Sequence, residues 1–395
     1  MDKSQSKYIK LTIGHVIGLA VGLTIAFYQP PVGLTHQAMQ VMGILAWAIC
    51  AWVFELFPDY VVALIMSTSW VAAGSVPFDI VFSTFASSNW WLMLGALGMG
   101  VAATRSGLLQ RLSLKVLQVF PFTYVGQILG MLVSGLIIAP LIPSITSKVA
   151  ITAPFARALS DNVGFEPRGK GAAGIFAAMF TGCGCTGPMF LSASYMGYVL
   201  LGILPGKIQH HFSWLQWFLA ALPWGITLLL ASLAAILLVY RARLPENSRD
   251  TVHQQLRELD PMSRKEKITI AVLLIALLAW ISEPLHHIPA VVVALLALCI
   301  LLGVEVFDRS DFRQLIPWDA LILIGGIIGM GPVLSALNID KWLGQYLSAF
   351  IVPYAGNIYA FTFILSVVIY LVRFVLVSQL VCITLFTVLL TPLAL

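Results

Sequence analysis

The sequence predicts an all-α polytopic membrane protein in which the second half repeats the first, inverted in the membrane. Three observations carry this. Of 395 residues, 59% are hydrophobic and only 10% charged, where a soluble domain carries roughly 25% charged residues. Apolar runs of about 18–22 residues recur, the length that spans a ~30 Å hydrocarbon core. Four short strings of the first half return in the same order in the second. Mean hydropathy is +0.94. The net charge of +5 therefore speaks for membrane sidedness rather than for a nucleic-acid partner.

The N-terminal MDKSQSKYIK leads into an apolar run with no small-residue cleavage site, so residues 9–28 read as a retained helix and not a signal peptide. Spans follow near 38–56, 60–75 and 87–104. Two close-set arms come next, at 124–142 and 149–160, then a broken span at 171–203. Further spans fall near 214–240, 267–283, 288–303 and 318–337, and a last apolar region runs from 357 to the end. Lys3, Lys7 and Lys10, Arg105, Arg111 and Lys115, Arg157, Arg168 and Lys170, and the basic loop 241–267 fall on one side if the arms enter and leave by one face. The positive-inside rule makes that side the cytoplasm, with the N-terminus in it. As full spans the arms would be short and would meet at prolines and hydroxyls with no anchoring charge. A re-entrant hairpin over 124–160 fits, because irregular backbone at membrane depth is tolerated where it lines a cavity.

The repeat organises the rest. AWVFE at 51–55 returns as AWISE at 279–283, VVAL at 61–64 as VVAL at 292–295, FD at 78–79 as FD at 307–308, and LGALGMGV at 94–101 as GGIIGMGP at 325–332, all at an offset of 228–231. Five crossings separate the copies from the second span onward, an odd number, so the second copy is upside down. Such repeats mark secondary transporters, whose halves meet at a midplane site. The expected parts are a tail and first helix (1–37), a first repeat (38–240), a cytoplasmic loop (241–267) and a second repeat (268–395). Projecting the first hairpin forward lands on RFVLVSQLVCITLF, 373–386, with Gln379 at the place of Ser147 and Thr384 at that of Thr152. The second copy then ends before counterparts of 171–203 and 214–240, as in a truncated or fragmentary carrier.

Nothing points to an enzyme: the sequence holds no nucleotide loop, metal motif or nucleophile–base constellation. Cys50, Cys183, Cys185, Cys299 and Cys382 lack metal-ligand spacing, and Cys183 and Cys185 read as small buried residues. An anion entering the membrane exchanges its hydration shell for fixed donors. Hairpin tips and helix breaks supply N–H groups and helix dipoles, and Ser144, Thr146 and Ser147 add donors without bulk. In the broken helix, Ser192 and Ser194 do the same, while Ala193 and Gly197 let backbone come close. Small and hydroxyl residues also pack helices in lipid, and that reading stands beside the first.

Lys148 has two readings. As a charge at mid-depth it is a functional candidate; at a shallow tip it snorkels to the interface. Arg373 divides the same way. Glu55 and Glu283, beside Pro58 and Pro284, read as helix-end hydrogen-bonding groups. Gly95, Gly98, Gly100, Gly326, Gly329 and Gly331 read as sites of close helix packing.

The tip PSITSK (143–148), the break MFLSASYMG (189–197) and SWLQWFLAALPWGI (213–226) resemble the divalent anion:sodium symporter (DASS) family. The resemblance runs from about residue 38 to 395 and is nearest the bacterial citrate/succinate and 2-oxoglutarate/malate translocator branch. It implies a homodimeric elevator-type carrier of di- or tricarboxylates, with the substrate between two opposed tips and two broken helices. Where the family tip carries Ser-Asn-Thr, this chain has Ser144-Ile145-Thr146, and the tip near Ser378 and Gln379 has lost the motif. In the exchanger branch a basic residue stands in for a sodium ion, and Lys148 occupies that place. The histidine which that branch has at the second tip is absent, with Arg373 the nearby cation. Exchange without sodium follows from Lys148. A sodium- or proton-coupled symporter, with sodium near Ser144, Thr146 and Ser192, and a non-transporting fragment are the alternatives.

Overall fold

The computed structural model describes residues 3–204, 206–209, 211–243, 261–343, 345, 357–374, 379, 381–383 and 386–387. Every regular element among them is helical. In chain order these are α1 (Lys3–Phe27), α2 (His36–Phe54), α3 (Asp59–Ala72), α4 (Phe78–Val81), α5 (Ser88–Arg105), α6 (Leu108–Val119), α7 (Tyr124–Ile138), α8 (Ile145–Asn162), α9 (Lys170–Phe180), α10 (Tyr195–Ile203), α11 (Gly206–Gln209) and α12 (Trp214–Val239). There follow α13 (Arg264–Ile281), α14 (Glu283–His286), α15 (Ala290–Gly303), α16 (Arg309–Gln314), α17 (Trp318–Ile328), α18 (Met330–Ala336) and α19 (Ile358–Val372). His36–Phe54, Tyr124–Leu141, Trp214–Val239 and Trp318–Ala336 are long and apolar enough to cross a membrane, and four shorter apolar helices accompany them.

The chain divides into two compact units. The first comprises Met1–Trp90, Val199–Gln209 and Trp318–Leu395. Within it, α1 carries Gly14, Gly18 and Gly22 at four-residue intervals along the face that meets α2. A Cβ on Gly22 would lie 2.9 Å from the Gly43 carbonyl oxygen, and one on Gly43 2.7 Å from Ala26 Cβ. Small residues at this spacing let two backbones touch, which is how helices associate where lipid offers no hydrophobic drive. Buried Trp70 donates its indole N–H to the Val41 carbonyl at 3.2 Å, tying α3 to α2.

The second unit comprises Trp91–Tyr198 and His210–Pro317. Its α7 approaches the backbone that follows α9 so closely that a Cβ on Gly135 would lie 2.8 Å from the Cys183 nitrogen. An amphipathic helix, α6, precedes α7 and buries Leu108, Leu109, Leu114 and Leu117. Two arginines anchor this region. Arg111 Nε donates to Glu266 Oε1 at 2.6 Å and its Nη2 to Oε2 at 3.3 Å, with both side chains largely buried. Arg105 Nε donates to Asp311 Oδ1 at 2.7 Å. Glu266 and Asp311 are also the N3 residues of capping boxes, with Ser263 opening α13 and Asp308 opening α16.

Corresponding positions of the two sequence repeats carry the same local devices. Pro58 and Pro289 stand at the N-caps of α3 and α15. Past the ends of those helices, Gly74 (φ 65°) and Glu305 (φ 55°) take the left-handed conformation that turns the chain. Trp52 donates to the Asp59 carbonyl and Trp280 to that of Ala290, each at 3.2 Å. Gly95 packs on Ala294 in one unit and Gly326 on Ala63 in the other, so each copy offers the other the same contact with roles exchanged. Gly98, Gly100 and Gly329 also meet close neighbours, but a Cβ on Gly331 would find nothing within 4 Å. Glu55, in the left-handed region, is the C-cap of α2, and Glu283 is the first residue of α14. Cys183 is buried as expected, whereas Cys185, two residues on and so on the opposite side of the turn, is exposed.

Two outcomes test this packing. Gly43→Val should cost about 2 kcal/mol of stability or more in detergent melts, the cost of overpacking, while Gly331→Ala should cost none. Glu266 lies on the polar first turn of α13, where the hydrogen bond from Arg111 holds its carboxyl below the ordinary range. The pair's stabilisation is thus complete above the ordinary carboxylate range and is lost as pH falls through the lower folded value. Glu266→Gln should destabilise the protein at pH 7 by about 1–3 kcal/mol, and the gap to the parent should close in acid melts.

Candidate functional site

The candidate site lies in the second unit, where two interruptions of helix meet. The first is the turn between α7 and α8. A 3-10 turn at Ala139–Leu141 and extended backbone at Ile142 lead through Pro143 to Ser144, whose carbonyl accepts the Lys148 N–H at 3.0 Å to close the first turn of α8. The arm expected from 149 thus begins at Ile145, and Thr146, Ser147 and Lys148 belong to its first turn. Three hydroxyl residues suit a helix start, where backbone N–H groups lack intrahelical partners.

The second interruption is longer than the sequence suggests. After α9 the backbone passes through a π-turn at Thr181–Cys185 and 3-10 turns at Gly187–Met189 and Leu191–Ala193 before α10 begins at Tyr195. The break thus starts at Thr181, ahead of MFLSASYMG, and Gly197 lies in α10. Gly182 is needed there for close approach, since a Cβ on it would collide with the Leu132 carbonyl oxygen, and TGCGC holds no proline or charge to reveal the break to hydropathy.

Lys148 joins the two interruptions. It is 0% exposed, and its Nζ donates to the Ala193 carbonyl at 2.7 Å and to the Ala139 carbonyl at 3.4 Å. A Cβ on Gly187 would lie 3.0 Å from that Nζ, so only glycine leaves the ammonium its room without displacing it. The ammonium is inside the protein, not snorkelling to an interface. Two more bonds cross the same seam: Ser192 Oγ donates to the Pro140 carbonyl at 2.9 Å, and the Tyr195 N–H to that of Pro143 at 3.0 Å. Ser194 Oγ accepts the Met196 N–H at 3.3 Å at the head of α10. The predicted residues Ser144, Ile145, Lys148, Ser192, Ala193, Ser194 and Gly197 therefore belong to one cluster, with Thr146 and Ser147 in its helical first turn.

Arg373, the C-cap of α19, and Gln379, both exposed, are in the first unit. Ser378 and Thr384 lie outside the described residues. Sequence reasoning does not single out two tryptophans that touch the break. Trp214 donates to Ser192 Oγ and Trp217 to the Pro188 carbonyl, both at 3.0 Å. The available signal was the Ser213–Gln216 capping box, which starts α12 at this point. Among the described residues no cluster of three or more His, Cys, Asp or Glu could hold a metal ion.

Residues 9–394 match the sodium:sulfate symporter transmembrane region. The chain belongs to this family. It is the DASS family of membrane transporters, and the protein is a multi-pass transporter-family member rather than an enzyme. A putative malate transporter of Bacillus subtilis, YflS, is 25% identical over 357 residues, covering 88% of this chain and 74% of that protein. The inner membrane protein YbhI of Escherichia coli is 28% identical over 343 residues, 84% of this chain and 72% of that protein. Dicarboxylate transporter 2 of spinach chloroplasts is 27% identical over 358 residues, 86% of this chain and 62% of that protein.

Replacing Lys148 separates its charge from its bulk. Lys148→Met leaves two carbonyls unmatched, at about 1–3 kcal/mol each, but removes a buried ion whose desolvation costs several kcal/mol. Its melting temperature in detergent should stay within a few degrees of the parent. Lys148→Ala, which adds a cavity, should lose about 2–5 kcal/mol. A methionine variant melting as low as the alanine one would show that the ammonium itself holds the fold.

Proposed function

We propose that this chain carries di- or tricarboxylate anions across the cytoplasmic membrane by exchange, binding them where the first turn of α8 meets the head of α10. The observation that carries the reading is the Tyr195–Pro143 bond. It sets two helix N-termini side by side, each equivalent to about half a positive charge, with the Lys148 ammonium buried behind them. First-turn N–H groups of α8 face away from their own helix and suit a carboxylate. The names of the B. subtilis and spinach relatives support the substrate class.

In this reading α7 and α8 form a re-entrant hairpin, and the repeats are inverted about the site. Arg373, Ser378 and Gln379, of the second hairpin projected over 373–386, stand in this reading as further candidate anion-binding residues. The protein works as a homodimeric elevator with its N-terminus in the cytoplasm. Lys148 fills with its ammonium a place among backbone carbonyls, and Ile145 stands where an amide would hold a cation, so no sodium is needed. The empty site is then positively charged and crosses lipid poorly without an anion.

A second reading, sodium-coupled symport, is favoured by the description of the family itself. Proteoliposomes separate the two. Exchange predicts uptake of labelled malate, succinate, citrate or 2-oxoglutarate only into vesicles preloaded with a carboxylate, at equal rates with sodium or potassium. Sodium-dependent uptake into empty vesicles would establish the symporter instead.

A further inference from the structure

Ser192 sits in the interruption among the residues assigned to the anion, yet its hydroxyl is already committed. Its single proton goes to the Pro140 carbonyl at 2.9 Å, and it accepts the Trp214 indole N–H at 3.0 Å. A hydroxyl has one donor, so Ser192 in this arrangement has none left for a carboxylate, and its remaining lone pair repels one. Ser192 is 1% exposed and Trp214 7%, so water competes weakly for either bond.

Trp214 is itself held firmly. Its ring stacks on Phe190, 6.0 Å away at 30°, and on Phe218, 5.9 Å away at 21°. Phe190 and Phe218 lie 5.2 Å apart and nearly parallel. The Ser213–Gln216 capping box fixes the helix end that carries the indole. Three residues on, Trp217 binds the Pro188 carbonyl, so the start of α12 grips the interruption at two points. The chain of bonds then runs from α12 through Ser192 to Pro140, four residues before Ser144, the first hydroxyl of the α8 tip.

Resting on the anion site described above, we propose that Trp214 is a positioning residue for transport: through the Ser192 hydroxyl it holds the Pro140 carbonyl and so sets the tip whose first α8 turn receives the anion. Ser192 acts within this relay and is not a ligand of the substrate. The tip and the interruption then move together, and the tip does not swing open alone to admit the anion.

Trp214→Phe keeps the stack and removes the N–H, Ser192→Ala removes both bonds, and Ser192→Thr keeps donor and acceptor. In exchange assays, Trp214→Phe and Ser192→Ala should each raise KM about three- to tenfold, the scale of one net hydrogen bond, with the maximal rate nearly unchanged. The double variant should be no worse than Ser192→Ala, because both remove one relay, and Ser192→Thr should restore the parent KM. A direct ligand role for Ser192 predicts instead a parent-like KM for Trp214→Phe, which would overturn the proposal, as would additive losses in the double variant. Hydrogen exchange of purified protein gives a readout independent of transport. Peptides covering 139–147 should exchange faster in both single variants, and unchanged exchange would sink the relay even if carboxylate exchange is confirmed. If the parent carries no carboxylate, the anion reading fails while the exchange data still decide the relay.

Discussion

A helix that stops inside an apolar surround leaves backbone groups without partners, and each such group costs free energy comparable to a lost hydrogen bond. The second unit is organised by how it meets that demand. The Thr181 carbonyl accepts the Thr186 N–H, the Thr186 hydroxyl shares its one proton between the Thr181 and Gly182 carbonyls, and the carbonyls of Thr186, Gly187 and Phe190 are taken by N–H groups further along the break. The Pro188 carbonyl takes an indole from α12 and the Ala193 carbonyl takes the Lys148 ammonium. Across the seam, the carbonyls of Ala139, Pro140 and Pro143 receive Lys148, Ser192 and Tyr195.

The pairings sort polarity within the site. The acceptors on both sides of the seam are occupied, and α8 begins beside them. The one full charge among the donors at the seam, the Lys148 ammonium, is buried with them. This also explains why residues of such different chemistry, a lysine, a serine and two tryptophans, share one neighbourhood. Each supplies a donor to a carbonyl or hydroxyl of an interrupted backbone, and the hydroxyl and ammonium are fixed in direction by that duty.

Much of the fold was legible in the sequence because long apolar helices announce themselves by length. The spans at 38–56, 87–104 and 214–240 match α2, α5 and α12 within about two residues. The turn after α7 was legible from its prolines and hydroxyls, and the oddity of Lys148 from its apolar neighbours. Other features left no such trace. α6 is short and amphipathic, so a search for unbroken apolar runs passes over it. The start of the break at Thr181 is written in small apolar residues that continue the hydropathy of α9. Lys148 could be read as buried or interfacial until its carbonyl partners, one of them 45 residues away, were in view. The hydroxyl of Ser192 looked available for the same reason: its donor, Trp214, is 22 residues further on.

The double service of Glu266 and Asp311 bears on how the chain finds its structure. Each carboxylate joins a loop of four residues, which closes quickly because few torsions must be fixed. The arginines it meets lie 155 and 206 residues away in the chain. The capping boxes can therefore aim both carboxylates early and locally. When α5 and α6 arrive, only the guanidinium side has freedom left to lose, and contacts of very long sequence separation become docking events onto acceptors already in place.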